Sequence, residues 1–294
     1  MFSVTKVMGL KKVIKEKLLS NERYIVLGEL NGPLLWRCLK LAYIVRLSHN
    51  EVLKEKVKHY NDFFFKELCV DRESAHKLCL DICSRVGIDE DEDGNDSIHY
   101  LAFAALSYCG FRPKNILELG TAYAESTVFL AELFPDAKIY TIDLPSKDPL
   151  YQIHYQGDSS SLIKARNDRL EKPNIVSFRI NTAFLRDLNL PEMDLIWLDA
   201  AHTYPAVAWD HFYCISKLAP SGWLFSDDIA FPDKSFQKTE ISHTYSVVDY
   251  FNKRLKNQFR YLLKRENLLR YIVEQVDHSI GNKVKYIAFF HKSA

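Results

Sequence analysis

Five short apolar runs separated by helical stretches constrain this chain more than any other feature. The runs are residues 115–119, 138–142, 174–180, 194–198 and 222–225. Helical spacing is clearest between them at 126–133, 160–170 and 206–218, and again at 246–263. Short buried strands that alternate with helices imply a parallel sheet covered on both faces. Two later runs, 268–276 and 283–291, are joined through Gly281-Asn282. They read as a hairpin, so one of its strands runs antiparallel to the rest. The expected fold is α/β: a doubly wound, mostly parallel, seven-stranded sheet.

The chain divides by pattern near residue 90. Residues 1–90 read as a helical N-terminal region, with amphipathic segments at 32–47, 52–68 and 72–86. Residues 91–294 hold the alternating pattern, entered through a helix at 97–108. Ala75, Leu78, Cys79, Ile82, Cys83 and Val86 trace one helical stripe, so Cys79 and Cys83 read as core residues. The acidic stretch Asp89-x-Asp91-x-Asp93-Gly94 imitates the start of a calcium loop. Its twelfth position is Tyr100 instead of the bidentate Glu such a loop needs, so it reads as a solvated linker.

Charge excludes some partners. With 39 basic and 38 acidic residues the net charge is +1, which gives no electrostatic reason to bind nucleic acid or an anionic membrane. No run approaches the roughly 20 apolar residues of a membrane span, and the N-terminus lacks the apolar core of a signal peptide. A cytoplasmic protein is expected. The N-terminal helices are candidates either to cover a site or to pair subunits in a homo-oligomer.

Ligands of open α/β sheets bind beyond the carboxyl ends of the strands. Glu118, Asp143, Asp199, Asp227 and Asp228 fall there. Carboxylates are costly to bury without partners, so the set suggests a site that needs hydrogen-bond acceptors and a cation. The first run leads into Gly120-Thr121-Ala122-Tyr123-Ala124-Glu125-Ser126. A glycine just after a strand lets backbone approach a ligand closely, and a helix opening near Ala124 offers unpaired N–H groups. Asp143 follows Gly120 by 23 residues, where a carboxylate accepts from ribose hydroxyls. Together these point to an adenosine-containing cofactor. The loop has neither G-x-G-x-x-G nor Gly-Lys-Ser/Thr, which argues against NAD and against a Walker A site.

Residues 116–145, ILELGTAYAESTVFLAELFPDAKIYTIDLP, resemble motif I and the acidic second strand of class I S-adenosylmethionine-dependent methyltransferases. Residues 194–229, DLIWLDAAHTYPAVAWDHFYCISKLAPSGWLFSDDI, resemble the later half of that fold, in the group with a D-x-x-H-x-Y signature and a strand ending in paired acids. That group is similar to metal-dependent small-molecule O-methyltransferases of the catechol and macrolide-sugar kinds. The resemblance spans roughly residues 97–291.

It implies S-adenosylmethionine as cofactor, with Glu118, Gly120, Thr121, Ala122, Ser126, Asp143, Thr182, Ala183 and Asp199 around it. It implies a divalent cation, Mg²⁺ by the preference of hard oxygen ligands, held by Asp199, Asp227 and Asp228. His202, three residues after Asp199, takes the place of a general base. The implied acceptor is a sugar or another small hydroxylated molecule. Two departures stand out: Ala124 sits where a second glycine is common, and Asp228 sits where the catechol group has Asn. Asp227 and Asp228 are also consecutive, so their side chains converge only if the strand bends. Two alternatives stay open, a hydroxylase-type component of the same fold and an S-adenosylmethionine-binding module without turnover.

Overall fold

Ile116 and Leu117 are neighbours, both fully buried, yet they belong to different cores. Successive strand residues point to opposite faces, so a strand buried on both sides must be apolar throughout. This is the physical content of the runs seen in the sequence. In the computed structural model, residues 42–44, 46–89, 97–154, 160–231, 242–256, 258–268, 271–272 and 284–293 are described. The stretch 90–96 of the acidic segment, Gly281-Asn282, most of the segment 32–47 and residues 232–241 lie outside them.

The strands are β1 (Asn115–Leu119), β2 (Lys138–Asp143), β3 (Ile175–Arg179), β4 (Met193–Leu198), β5 (Leu218–Ala230), β6 (Arg260–Leu263) and β7 (Lys285–His291). Their order is β3-β2-β1-β4-β5-β7-β6. β1 to β5 pair in parallel, and β7 lies antiparallel between β5 and β6. The order reverses at β1, which has β2 on one side and β4 on the other, and a crevice opens at such a switch point. The expected doubly wound, seven-stranded, mostly parallel sheet is observed.

One face buries Ile116, Leu195, Trp197, Trp223, Phe225 and Phe289 against the helices Asp62–Glu67, Arg72–Val86, His99–Tyr108 and Glu125–Leu133. Phe103 meets Trp197 and Phe225 edge to face, with ring centroids 5.7 and 5.5 Å apart. Ala75, Cys79, Ile82 and Cys83 are buried in this same core. The other face buries Leu117, Leu119, Ile196, Leu198 and Leu224 with residues of the helices Ala206–Lys217 and His243–Arg254. By contacts the chain divides at Lys54/Glu55, so the unit that carries the sheet also contains the helices from Asp62 to Val86. In the unit before it, the described residues are helical at 42–44 and 46–48, and a further helix, Glu51–Lys58, runs across the division. Among the described residues no helix is long and apolar enough to cross a membrane.

The terminal hairpin differs from expectation. The partner of β7 is Arg260–Leu263, not the run at 268–276, of which residues 268, 271 and 272 are helical. Val248, Phe251, Leu255, Phe259 and Leu262 keep helical spacing, and this hid the strand inside an apparent helix. The helix stops at Arg254, Lys256 takes a left-handed φ of 58°, and the Asn252 side chain accepts from the Phe259 N–H at 2.9 Å. That turn starts the strand.

As the last strand in the sheet order, β6 presents an open edge, and such edges need covering. Asn61, fully buried, donates to the Leu263 carbonyl at 2.9 Å and accepts from the Leu263 N–H at 2.7 Å. Arg72 reinforces the junction through ion pairs with Asp62 at 2.8 Å and with Glu266. Replacing Asn61 with Leu leaves two buried backbone groups without partners. Each such group costs about 1–3 kcal/mol, so a loss of about 2–4 kcal/mol is expected in urea unfolding. An unchanged midpoint would mean that the clamp carries no load.

Candidate active site

The site is built where β2, β1 and β4 end side by side. The Gly120 N–H donates to the Ile142 carbonyl and the Asp199 N–H to the Leu119 carbonyl, both at 2.9 Å. Gly120 has φ +101°, and a Cβ there would lie 2.0 Å from the Asp199 carbonyl oxygen. Only glycine can turn the chain there. The turn continues through Ala122 and Ala124, at φ 44° and 62°. Ala124 is fully buried, and its carbonyl accepts the first helical bond from Val128 at 3.0 Å. A left-handed conformation costs an L-residue about 1–2 kcal/mol, which is why glycine is common at the equivalent place and alanine is only tolerated. Ser126 lies in the first turn of the helix that follows, whose leading N–H groups have no partner within the helix.

Asp143 ends β2 with its carboxylate held from three sides. It accepts from the Ala122 N–H at 3.1 Å and the Leu144 N–H at 2.8 Å, and it pairs with Arg179 at 3.3 Å. Burial raises its pKa, and these partners reverse only part of the rise. Beside it lies a cavity of about 320 Å³ lined by Leu144, Pro145, Lys147, Tyr151, Arg166 and Arg179. Thr182 and Ala183 start the turn after β3, which is tied to this end of the sheet by the Ile180 N–H donating to the Asp143 carbonyl at 3.0 Å.

Glu118 points into the first core and is fully buried. Its Oε2 accepts from the hydroxyls of Thr127 and of Thr141, the latter at 2.6 Å. Thr141 is also hydrogen-bonded to Thr121, at 2.7 Å. The Oε1 atom of Glu118 is buried without a partner. Burial pushes the carboxyl pKa up to about 8, against the pull of the two threonines and with the help of Asp199 and Asp143. His99 packs flat on Trp197, at 4.7 Å and 9°, and burial lowers its pKa, as do Lys264 and Arg265.

The second half of the site lies past β4 and β5. His202 Nε2 is 3.5 Å from an Asp199 carboxylate oxygen and 4.0 Å from one of Asp228. Burial works to lower the His202 pKa, but the bond to Asp199 and the charges of Asp199, Asp228 and Asp227 outweigh it, and the net shift is upward. Asp228 takes φ 57°, and the pairing of β5 with β7 slips between Ser226 and Ile229. That bend brings two consecutive carboxylates to the same side.

The group they share is an ammonium. Lys264 pairs with Asp227 and, at 2.7 Å, with Asp228, and Lys285 makes a second pair with Asp228. Burial would raise the Asp228 pKa, but the two lysines outweigh it and hold the carboxyl well below its usual range. Asp227 is fully buried and pushed up to about 7 by burial and by Asp199, with Lys264 only partly offsetting this. Neither lysine stood out in the sequence. Lys264 lies 36 positions beyond Asp228, just past the stretch 246–263 that keeps helical spacing.

The geometry accommodates an adenosyl cofactor. Gly120 lets the backbone turn tightly against Asp199, Asp143 borders the cavity of about 320 Å³, and Glu118 keeps an orphaned buried oxygen. A divalent cation on Asp199, Asp227 and Asp228 does not fit. An ammonium about 4 Å away repels a divalent ion by about 8 kcal/mol at an effective dielectric of 20, and two of the three carboxylates already hold ammonium groups. Among the described residues no group of three or more His, Cys, Asp or Glu side chains is placed to hold a metal ion.

Strand order, glycine turn and strand-end acid together give the doubly wound architecture of the class I methyltransferase fold. Residues 117–229 match the family model described as "Methyltransferase domain", a span that runs from β1 through the Asp227-Asp228 pair. No curated protein matches the chain. Similar solved structures include the O-methyltransferase TomG from Streptomyces achromogenes, involved in tomaymycin synthesis and solved with SAM, and an O-methyltransferase from Bacillus cereus solved with SAH. The first is 14% identical, with 82% of this chain and 99% of that one covered and a TM-score of 0.45. The second is 12% identical, with 81% and 100% covered and a TM-score of 0.45.

Two outcomes test this geometry. Gly120→Ala should cost about 3 kcal/mol or more through clash and backbone strain, seen as roughly a hundredfold or greater loss of S-adenosylmethionine affinity by calorimetry. Unchanged affinity would place the cofactor elsewhere. Glu118 favours its proton when folded, so its contribution to stability is full below the unfolded value near 4.5 and is lost as pH rises through about 8. Glu118→Gln, always neutral, should therefore melt close to the wild type at about pH 5 and above it at about pH 9.

Proposed function

We propose that this protein transfers a methyl group from S-adenosylmethionine to a hydroxyl of a small molecule, a sugar or similar acceptor, in the cytoplasm. The observation that carries the reading is the adjacency of two half-sites. Gly120, which shapes the cofactor cradle, packs against the backbone of Asp199, and the carboxylate of Asp199 stands 3.5 Å from His202.

When bound, the cofactor supplies a sulfonium methyl whose S–C bond breaks as an O–C bond forms. The chain must accept the hydroxyl proton and orient the acceptor. His202 is partly exposed and faces carboxylates that favour its protonated form, so its imidazole can take that proton. Asp199 holds the ring and offsets the charge that develops on it. Tyr204 is 48% exposed, with its ring 4.7 Å from that of His243. It gives the mouth an aromatic face suited to the C–H side of a sugar ring. The metal assistance implied by the resemblance finds no support in this geometry.

A base acts when neutral. The rate should therefore rise with pH and level off above a midpoint higher than the ordinary histidine value of about 6.5. Asp199→Asn should move that midpoint down. His202→Gln should remove the pH limb and nearly all turnover while S-adenosylmethionine affinity stays within about twofold. Turnover that persists in His202→Gln with an unchanged pH profile would eliminate His202 as the base.

A further inference from the structure

We propose that the ammonium of Lys264, backed by Lys285, is the resident cation of this site, so that the protein neither binds nor needs a divalent metal there. The inference rests on the methyltransferase reading above and specifies how that site is charged.

The lysine is built in. The Lys264 N–H donates to the Lys285 carbonyl at 3.0 Å, and its carbonyl accepts from the Ile98 N–H at 2.9 Å. The preceding residue, Leu263, is held at both backbone groups by Asn61. The Lys264 side chain is only 10% exposed, and its head group touches both carboxylates. Three separate segments thus aim one ammonium at the bend in β5.

Charge balance agrees. Asp227 and Asp228 carry up to two negative charges and meet two positive ones from Lys264 and Lys285. Only Asp199 remains to draw on a further cation, and His202 already faces it. Two of the three N–H donors of the Lys264 ammonium are directed at Asp227 and Asp228, so the acceptor meets Asp199 and His202 and no open coordination position. Lys264 is therefore a positioning residue. It fixes Asp228, whose oxygen lies 4.0 Å from His202, and acts on the imidazole through it.

The test uses the full-length protein and Mn²⁺, followed by its free-ion paramagnetic resonance signal. Wild type should leave that signal unchanged. Lys264→Gln with Lys285→Gln, and Lys264→Met with Lys285→Met, each remove both ammonium groups and keep both aspartates. Each should take up one Mn²⁺, about a hundredfold or more tighter than wild type. Calorimetric titration with S-adenosylmethionine on the same samples reports folding and, separately, the cofactor reading. Mn²⁺ uptake by wild type overturns the proposal, as does its absence in a variant that still binds the cofactor. If neither variant folds, the wild-type titration decides alone. Wild type that binds neither Mn²⁺ nor S-adenosylmethionine refutes the methyltransferase reading instead. In methyl-transfer assays, wild-type turnover should be indifferent to EDTA, and loss restored by Mg²⁺ would also overturn the proposal.

Discussion

The approach of the Gly120 backbone to the Asp199 carbonyl is the constraint on which the rest of the site depends. It exists because two parallel strands end at the same level and one residue after the first has no side chain. The distance left for a Cβ is 2.0 Å, far inside any van der Waals contact. From that point the chain turns through two left-handed alanines into the helix Glu125–Leu133. The glycine turn and the Asp199–His202 pair therefore share one backbone junction.

The second half of the site depends on charge placed by distant segments. The helices between Asp62 and Val86 share a core with the sheet, and Asn61 closes the open edge of β6. That clamp fixes Leu263, and Leu263 fixes the lysine after it. The bend at Asp228 would otherwise leave two adjacent carboxylates repelling each other in a poorly solvated place. With an ammonium between them the bend is stable, and one carboxylate is held near His202. A helical region with no catalytic motif of its own thus contributes through position.

Much of the fold was legible because the strands of a doubly wound sheet are buried on both faces and must be apolar throughout. The first strand, Asn115–Leu119, and the helix after it follow from that rule. The last part was not legible: Phe259 and Leu262 continue a helical stripe, and only the hydrogen bond from Phe259 to Asn252 shows where the helix ends. In the site, Gly120, Asp143, Asp199 and His202 carried local signals, namely strand ends and short spacings, and the structure brings them together. Glu118 was legible as a buried acid, but its donors were not, since Thr127 and Thr141 come from a helix and a neighbouring strand.

By itself the sequence determined the layered α/β architecture, the position of the glycine turn and the row of acids at the strand ends, because burial and backbone freedom are written residue by residue. Only the tertiary structure decided what those acids meet. Lys264 and Lys285 reach Asp227 and Asp228 through pairing across β5, β7 and β6, and the register of that pairing depends on contacts between residues far apart in the chain. The physical reason is that charge pairing acts through space, over a few ångströms, whereas a sequence motif records only neighbours along the backbone.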